Sequence, residues 1–236
     1  MLDKEKHQLI MGQILKDIYS DIEIASFLGF KGGTCAYFFF GLTRFSVDLD
    51  FDLLADGKSV RETTFKKIKR ILRKYGAIKD SYLKRNTIFA LLSYGDAEHN
   101  IKIEISTRLF APDMRDFFEL KEFLGISMPA AKKEYLFAGK LAALVSRKIT
   151  AARDIYDIRY FAKNNWDIDR EALKLLTGKN IREHLKQCVA TIEKMNENQI
   201  LQGIGELVDE KEKIWVKKNL KSEAVFLLKN YALALK

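Results

Sequence analysis

From residue 4 to about residue 27 the apolar positions Leu9, Ile10, Ile14, Leu15, Ile18, Ile22 and Ala25 recur at helical spacing, which predicts an amphipathic lead-in helix. Gly29 punctuates it. The pattern then gives a short strand over 28–31, a Gly32-Gly33 turn, a buried helix over 34–40 and a strand over 47–53. Asp56-Gly57-Lys58-Ser59 reads as a turn, with Ser59 or Thr63 capping a basic helix that ends near Tyr75-Gly76. Alternating apolar and polar positions predict three strands over 77–84, 87–94 and 100–106. Arg85-Asn86 and Gly95-Asp96-Ala97-Glu98 separate them, which suggests an antiparallel meander joined to the first strands. Beyond Pro129 the period becomes helical, with helices expected over 131–149, 153–163, 169–176, 181–195 and 211–235. The expected division is therefore 1–128 and 129–236, with no internal repeat or low-complexity segment.

A chain of 236 residues, 47% hydrophobic and 31% charged with two prolines, is long enough for two modest domains and excludes a disordered or fibrous protein. Lys and Arg number 41 against 32 acids, net +9. That excess suits an anionic partner such as RNA, DNA or nucleotide, or else a surface merely kept soluble by charge. Cys35 and Cys188 lie far apart without metal-ligand spacing, so neither a disulfide framework nor a zinc site is expected and a reducing cytoplasm fits best. No apolar run reaches membrane-spanning length, and the residues after Met1 lack a signal-peptide hydrophobic region.

The chemistry concentrates where Phe30-Lys31-Gly32-Gly33-Thr34 is followed by Arg44-Phe45-Ser46-Val47-Asp48-Leu49-Asp50-Phe51. A glycine pair at a strand-to-helix turn brings main-chain N–H groups close to a phosphate, and a helix starting near Thr34 adds its positive dipole end. Asp48 and Asp50, two apart on a strand, turn their carboxylates one way, and with substrate phosphates they suit Mg2+ (or Mn2+). An isolated Asp-x-Asp is usually a solvated strand, but its place directly after the glycine turn favours the metal. Glu104, alternating with isoleucines, is a third ligand if its strand is a neighbour; alternatively it forms a charged stripe with Lys102. Arg44 either binds phosphate or pairs with a carboxylate, and Ser46 adds a hydroxyl beside the metal strand. Together these features read as nucleotidyl transfer from an NTP.

A second dense cluster lies in the helical half. On one helix Arg147 returns close to Lys140, and Asp154 does so if the helix continues, with Asp157 turned further away. Lys140 and Arg147 could supply the positive charge a leaving pyrophosphate needs. The blander alternative is intrahelical pairing among Arg153, Asp154, Asp157 and Arg159. His7, His99 and His184 are scattered and give no relay, and Tyr37-Phe38-Phe39-Phe40 is expected to be core. The basic helix from Lys66 to Lys74 offers either an RNA-backbone site or a solvated face.

Lys31-Gly32-Gly33-Thr34, Arg44-Phe45-Ser46-x-Asp48-x-Asp50-Phe51 and Lys140-Leu-x-Ala143-Leu-x-x-Arg147 with Arg153-Asp154-x-x-Asp157 together resemble the AbiEii/AbiGii nucleotidyltransferase-like toxin family, which includes the MenT toxins. The resemblance runs over residues 28–161. It implies an α+β fold, a polymerase-β-type nucleotidyltransferase core with a mixed sheet followed by a helical C-terminal domain that contributes the Lys140 and Asp154 side of the site. It implies Ser46 and Asp48 as the first catalytic pair, Asp50 as the second metal-site acid, Lys140 as the catalytic lysine and Asp154 as the late acid, with Asp157 a rival. It further implies a toxin of a toxin-antitoxin or phage-defence pair, with a cognate antitoxin and transfer of NMP to the 3′ end of tRNA. A small-molecule or protein hydroxyl is the alternative acceptor, and a non-catalytic nucleic-acid or antitoxin-binding module the alternative class.

Overall fold

The computed structural model describes residues 3–95 and 100–235. Most of the expected turn at 95–98, and His99, lie outside the described residues. The chain divides into two compact units, one formed by the residues up to Gly41 with Phe45–Lys132, the other by Leu42–Arg44 with the chain from Lys133 onward.

In the first unit α1 (Lys4–Ser20) begins where the Asp3 carboxylate accepts the Lys6 N–H, and it buries Met11, Ile14, Leu15 and Ile18. It stops seven residues short of the expected end. Asp21 accepts the Glu23 N–H instead of continuing the helix, and Leu9 and Ile22, expected on the apolar face, are 59% and 92% exposed. β1 (Leu28–Lys31) runs into α2 (Gly32–Phe40), and β2 (Leu49–Leu53), α3 (Lys58–Leu72), β3 (Ala77–Lys84), β4 (Thr87–Ser93) and β5 (Asn100–Ser106) follow. α3 starts two residues earlier than a Ser59 cap and six earlier than a Thr63 cap would require, with Gly57 at its N-cap. Two further strands, β6 (Phe118–Phe123) and β7 (Ile126–Ala131), fall around the expected domain boundary where no strand was anticipated.

The seven strands form one mixed sheet in the order β3-β4-β5-β2-β1-β7-β6. β2 is antiparallel to β1 and parallel to β5, so the strand that carries Asp50 is flanked by the strands that carry Lys31 and Glu104. Alternate positions Ile88, Ala90 and Leu92 of β4 and Ile101, Ile103 and Ile105 of β5 are buried, while the residues between them are half-exposed. This alternation leaves one sheet face for the core and one for chemistry. The aromatic run of α2 is half-buried, not core: Phe38 stacks on Phe123 at 4.9 Å, and Lys121 lies over the Phe40 ring.

The second unit is helical, with α4 (Lys133–Ser146), α5 (Ala152–Lys163), α6 (Arg170–Thr177), α7 (Ile181–Lys194) and α8 (Glu210–Ala234). α4 and α5 are separate helices, so no continuous helix face links Lys140 to Asp154. Asp169 and Asn180 cap α6 and α7 by accepting N–H bonds from Ala172 and Glu183. α8 packs along α5 and α7 through Val216, Leu220, Ala224 and Leu228. No described helix is long and apolar enough to cross a membrane.

Candidate active site

The sheet unit assembles a cluster of candidate residues around Gly32. This residue has φ +80°, and a Cβ there would come within 2.5 Å of Asp50 Oδ2 and 2.8 Å of Asp50 Cβ. Glycine is therefore required twice, once by backbone conformation and once by the carboxylate lying against it. α2 begins at this point with no side-chain cap, so the Asp50 carboxylate sits at the start of a helix whose first N–H groups favour negative charge. Asp50 lies opposite Lys31 on β1 and Glu104 on β5.

Asp48 occupies the last position before β2. Lys102 Nζ stands 3.4 Å from both Asp48 Oδ2 and Glu104 Oε2, so the charged stripe and the acid cluster anticipated as alternatives coexist. Among the described residues no three His, Cys, Asp or Glu side chains converge as a ready-made metal cage. Lys31 does not extend freely toward a phosphate; its Nζ is 2.5 Å from Asp52 Oδ1.

The loop ahead of Asp48 is held by buried polar contacts. Thr34 Oγ1 is 2.9 Å from Ser46 Oγ and also bonds the Asp48 carbonyl oxygen. The single Thr34 hydroxyl hydrogen is thus directed at two acceptors, the Ser46 hydroxyl oxygen and the Asp48 carbonyl. His7 Nε2 is 3.0 Å from the Val47 carbonyl oxygen, and its Nδ1 meets the Tyr94 hydroxyl. A carbonyl only accepts, so Nε2 carries the hydrogen. Phe45 packs edge-on against His7 and Tyr37.

The helical unit holds an ionic chain of alternating sign. Arg147 Nε is 2.9 Å from Asp154 Oδ2, and Lys140 Nζ is 2.9 Å from Asp154 Oδ1 and 2.8 Å from Asp157 Oδ2. Arg44 grips Asp157 with two bonds, Nε to Oδ1 at 2.5 Å and a terminal nitrogen to Oδ2 at 2.7 Å. Both aspartates are fully buried and Arg44 nearly so. Burial alone would discharge such groups, but the pairing prevails. It holds Asp157 below the usual carboxylate range and Lys140 and Arg44 above their usual values.

These contacts revise several expectations. Asp157 meets Lys140 as directly as Asp154 does, because the residues come from two packed helices and not one face. Arg44 takes the carboxylate alternative. Of the residues in the intrahelical alternative, Arg159 turns instead to Glu223 and lies over Trp215. On α3, Lys67 and Arg70 pair with Asp21 and Lys67 also with Glu23, and just beyond the helix Lys74 pairs with Asp17, so much of the supposed RNA-binding charge is neutralised within the sheet unit.

Two residues escaped the sequence reading. Asp52 continues the Asp48, Asp50 alternation by one more step, and His7 stands at positions i−4 and i−7 from the buried Met11 and Ile14. Both signals were present as spacing alone.

A strand-glycine-helix turn backed by carboxylates on the adjoining strand is the architecture of the nucleotidyltransferase class. Comparison with known proteins agrees with it. The model of the AbiEii nucleotidyl transferase toxin family, Type IV toxin-antitoxin system, matches residues 13–213, and the chain belongs to that family. JHP933 from Helicobacter pylori is similar in structure, with TM-score 0.57, 22% identity and coverage of 100% of this chain and 97% of that one. A second H. pylori structure, described as a "putative nucleotidyltransferase", gives TM-score 0.56 at 20% identity over 98% of both chains. No curated protein matches the sequence.

Proposed function

We propose that the protein transfers NMP from an NTP to an acceptor hydroxyl, most consistently the 3′ end of tRNA, and acts as the toxin of a toxin-antitoxin or phage-defence pair with a cognate antitoxin. The observation that carries this reading is the placement of the Asp50 carboxylate over Gly32 at the start of α2, directly opposite Glu104 in register and two residues from Asp48. Acids gathered at a helix start serve no packing purpose and repel nucleic acid unless a cation joins them.

Asp48 and Asp50 would hold a divalent cation, Mg2+ or Mn2+, with Glu104 as a further oxygen donor. Phosphate oxygens and water would complete the shell. Once bound, the cation screens the triphosphate and lowers the pKa of the acceptor hydroxyl. The Gly32-Gly33 turn and Thr34 lead the triphosphate onto main-chain N–H groups, and Lys31 can exchange Asp52 for a phosphate oxygen. Lys140 and Arg147 neutralise the pyrophosphate that departs as the acceptor oxygen bonds the α-phosphorus. Asp154 and Asp157 keep Lys140 charged, and Arg44 anchors Asp157.

Incubating the protein with α-labelled NTPs, a divalent cation and either total RNA, total protein or no acceptor tests this reading. Label on the RNA fraction is expected. Label confined to protein would sink the tRNA assignment, and growth inhibition undiminished by Asp48→Ala would sink the enzymatic one.

A further inference from the structure

The cross-strand row that contains Asp50 continues beyond Glu104. Glu104 lies opposite Phe89 on β4, and Phe89 lies opposite Tyr82 on β3. Residues directly opposite one another share a sheet face, so two acids and two aromatic rings stand in line on the less covered side of the sheet. The rings are stacked, with centroids 4.7 Å apart and planes 10° apart, and Lys84 Nζ lies 4.3 Å from the Tyr82 centroid. Tyr82 thus covers the β3 side of Phe89, and the other side of that ring looks toward the carboxylates, about one strand spacing (~5 Å) away.

Beside this plate the fold gathers cations. The Thr107 N–H bonds the Asn86 carbonyl at 3.1 Å and the Thr107 hydroxyl bonds the Arg85 carbonyl, tying the end of β5 to the β3–β4 turn. Arg61 of α3 reaches the same Arg85 carbonyl at 3.2 Å. Lys84, Arg85 and Arg108 are exposed around the junction, and none of these four cations pairs with a described carboxylate. The pairing seen on the basic helix α3 is absent here.

We infer that Phe89 and Tyr82 form a stacking plate for the terminal base of a single-stranded RNA 3′ end, with Lys84, Arg85 and Arg108 holding the phosphates behind it; this rests on the nucleotidyl-transfer reading. Aromatic rings stack any base, and adjacent cations track the backbone. The acids in the same row select the end of the strand over its middle. A 3′ terminus has no phosphate beyond its free hydroxyl, so it alone can enter an acidic row without repulsion.

The test is fluorescence anisotropy with a single-stranded RNA of about 8 nucleotides and its duplex, without NTP, for wild type, Phe89→Leu, Phe89→Trp and Arg85→Ala/Arg108→Ala. Steady-state KM values for NTP accompany it. Phe89→Leu should weaken single-strand binding about tenfold and leave the NTP KM unchanged. Phe89→Trp should restore binding, because it keeps a flat face. The arginine variant should weaken binding and flatten its salt dependence. Unchanged RNA affinity in Phe89→Leu, equal affinity for the duplex, or a parallel rise in the NTP KM overturns the inference, the last by placing the incoming base on the plate. Because the binding readout needs no turnover, failure of wild type to label RNA would count against the proposed reaction while the anisotropy still judged the plate.

Discussion

The two charged clusters are opposites in composition and setting. On the sheet, Asp48, Asp50 and Glu104 are half-exposed and outnumber the single Lys102 among them. In the helical unit, Arg44, Lys140 and Arg147 outnumber the fully buried Asp154 and Asp157. Half-exposed acids in excess are suited to accept a cation. Buried acids in deficit suit a supporting part, holding cations fixed where water is excluded. On the proposed reading, identical residue types divide between ligand and support according to which sign is left over.

The sharpest way to break the comparison is Asp48→Asn or Asp50→Asn. Either should lower label transfer about a thousandfold, while urea unfolding shifts by less than about 1 kcal/mol because the pairs lost are partly exposed. Asp157→Asn should do the reverse in kind. It leaves the Arg44 charge buried without its carboxylate, costing about 3–5 kcal/mol by urea denaturation. A stable, fully active Asp157→Asn protein would show the chain of charges to be incidental.

Gly32→Ala tests the sheet half alone. Strain at φ +80° and the encounter with Asp50 should cost about 1–3 kcal/mol and reduce activity beyond what the lost stability explains. The smallest effect concerns pH. Burial holds the His184 imidazole below its usual value, only partly opposed by its bond to the Leu141 carbonyl at 2.9 Å. A depressed imidazole contributes stability that is present above about pH 6.5 and lost as pH falls through its folded value. Thermal melts from pH 7.5 downward should show a slope that His184→Gln removes. Asp157 adds nothing to that slope, for its depressed carboxyl matters only as pH falls below about 4, and raised Lys140 matters only in the alkaline range.

Much of this molecule was readable as period and punctuation. The strands from Leu28 to Ser106 and the five later helices lie within a few residues of their expected bounds, because each has strong alternation or helical spacing between clear breakers. β6 and β7 were hidden for identifiable reasons. β6 is an edge strand with Glu119, Lys121 and Glu122 on it and Leu120 73% exposed, so it lacks an apolar run. β7 contains Pro129, which usually ends a strand, and the hairpin between them turns at Leu124 and Gly125, both at positive φ, where leucine gives no turn signal. The motif residues of the site were legible, yet their partners were not. That Arg44 binds Asp157, 113 positions away, follows from packing that no local pattern encodes.

The Thr34 side chain carries one hydrogen but touches two oxygens, the Ser46 hydroxyl and the Asp48 carbonyl. A single buried hydroxyl therefore fastens the loop at two points, one on a serine side chain and one on the backbone of the first acid. The bend that delivers Asp48 to β2 is pinned from the α2 side, so a change at Thr34 would loosen both ends of that bend together.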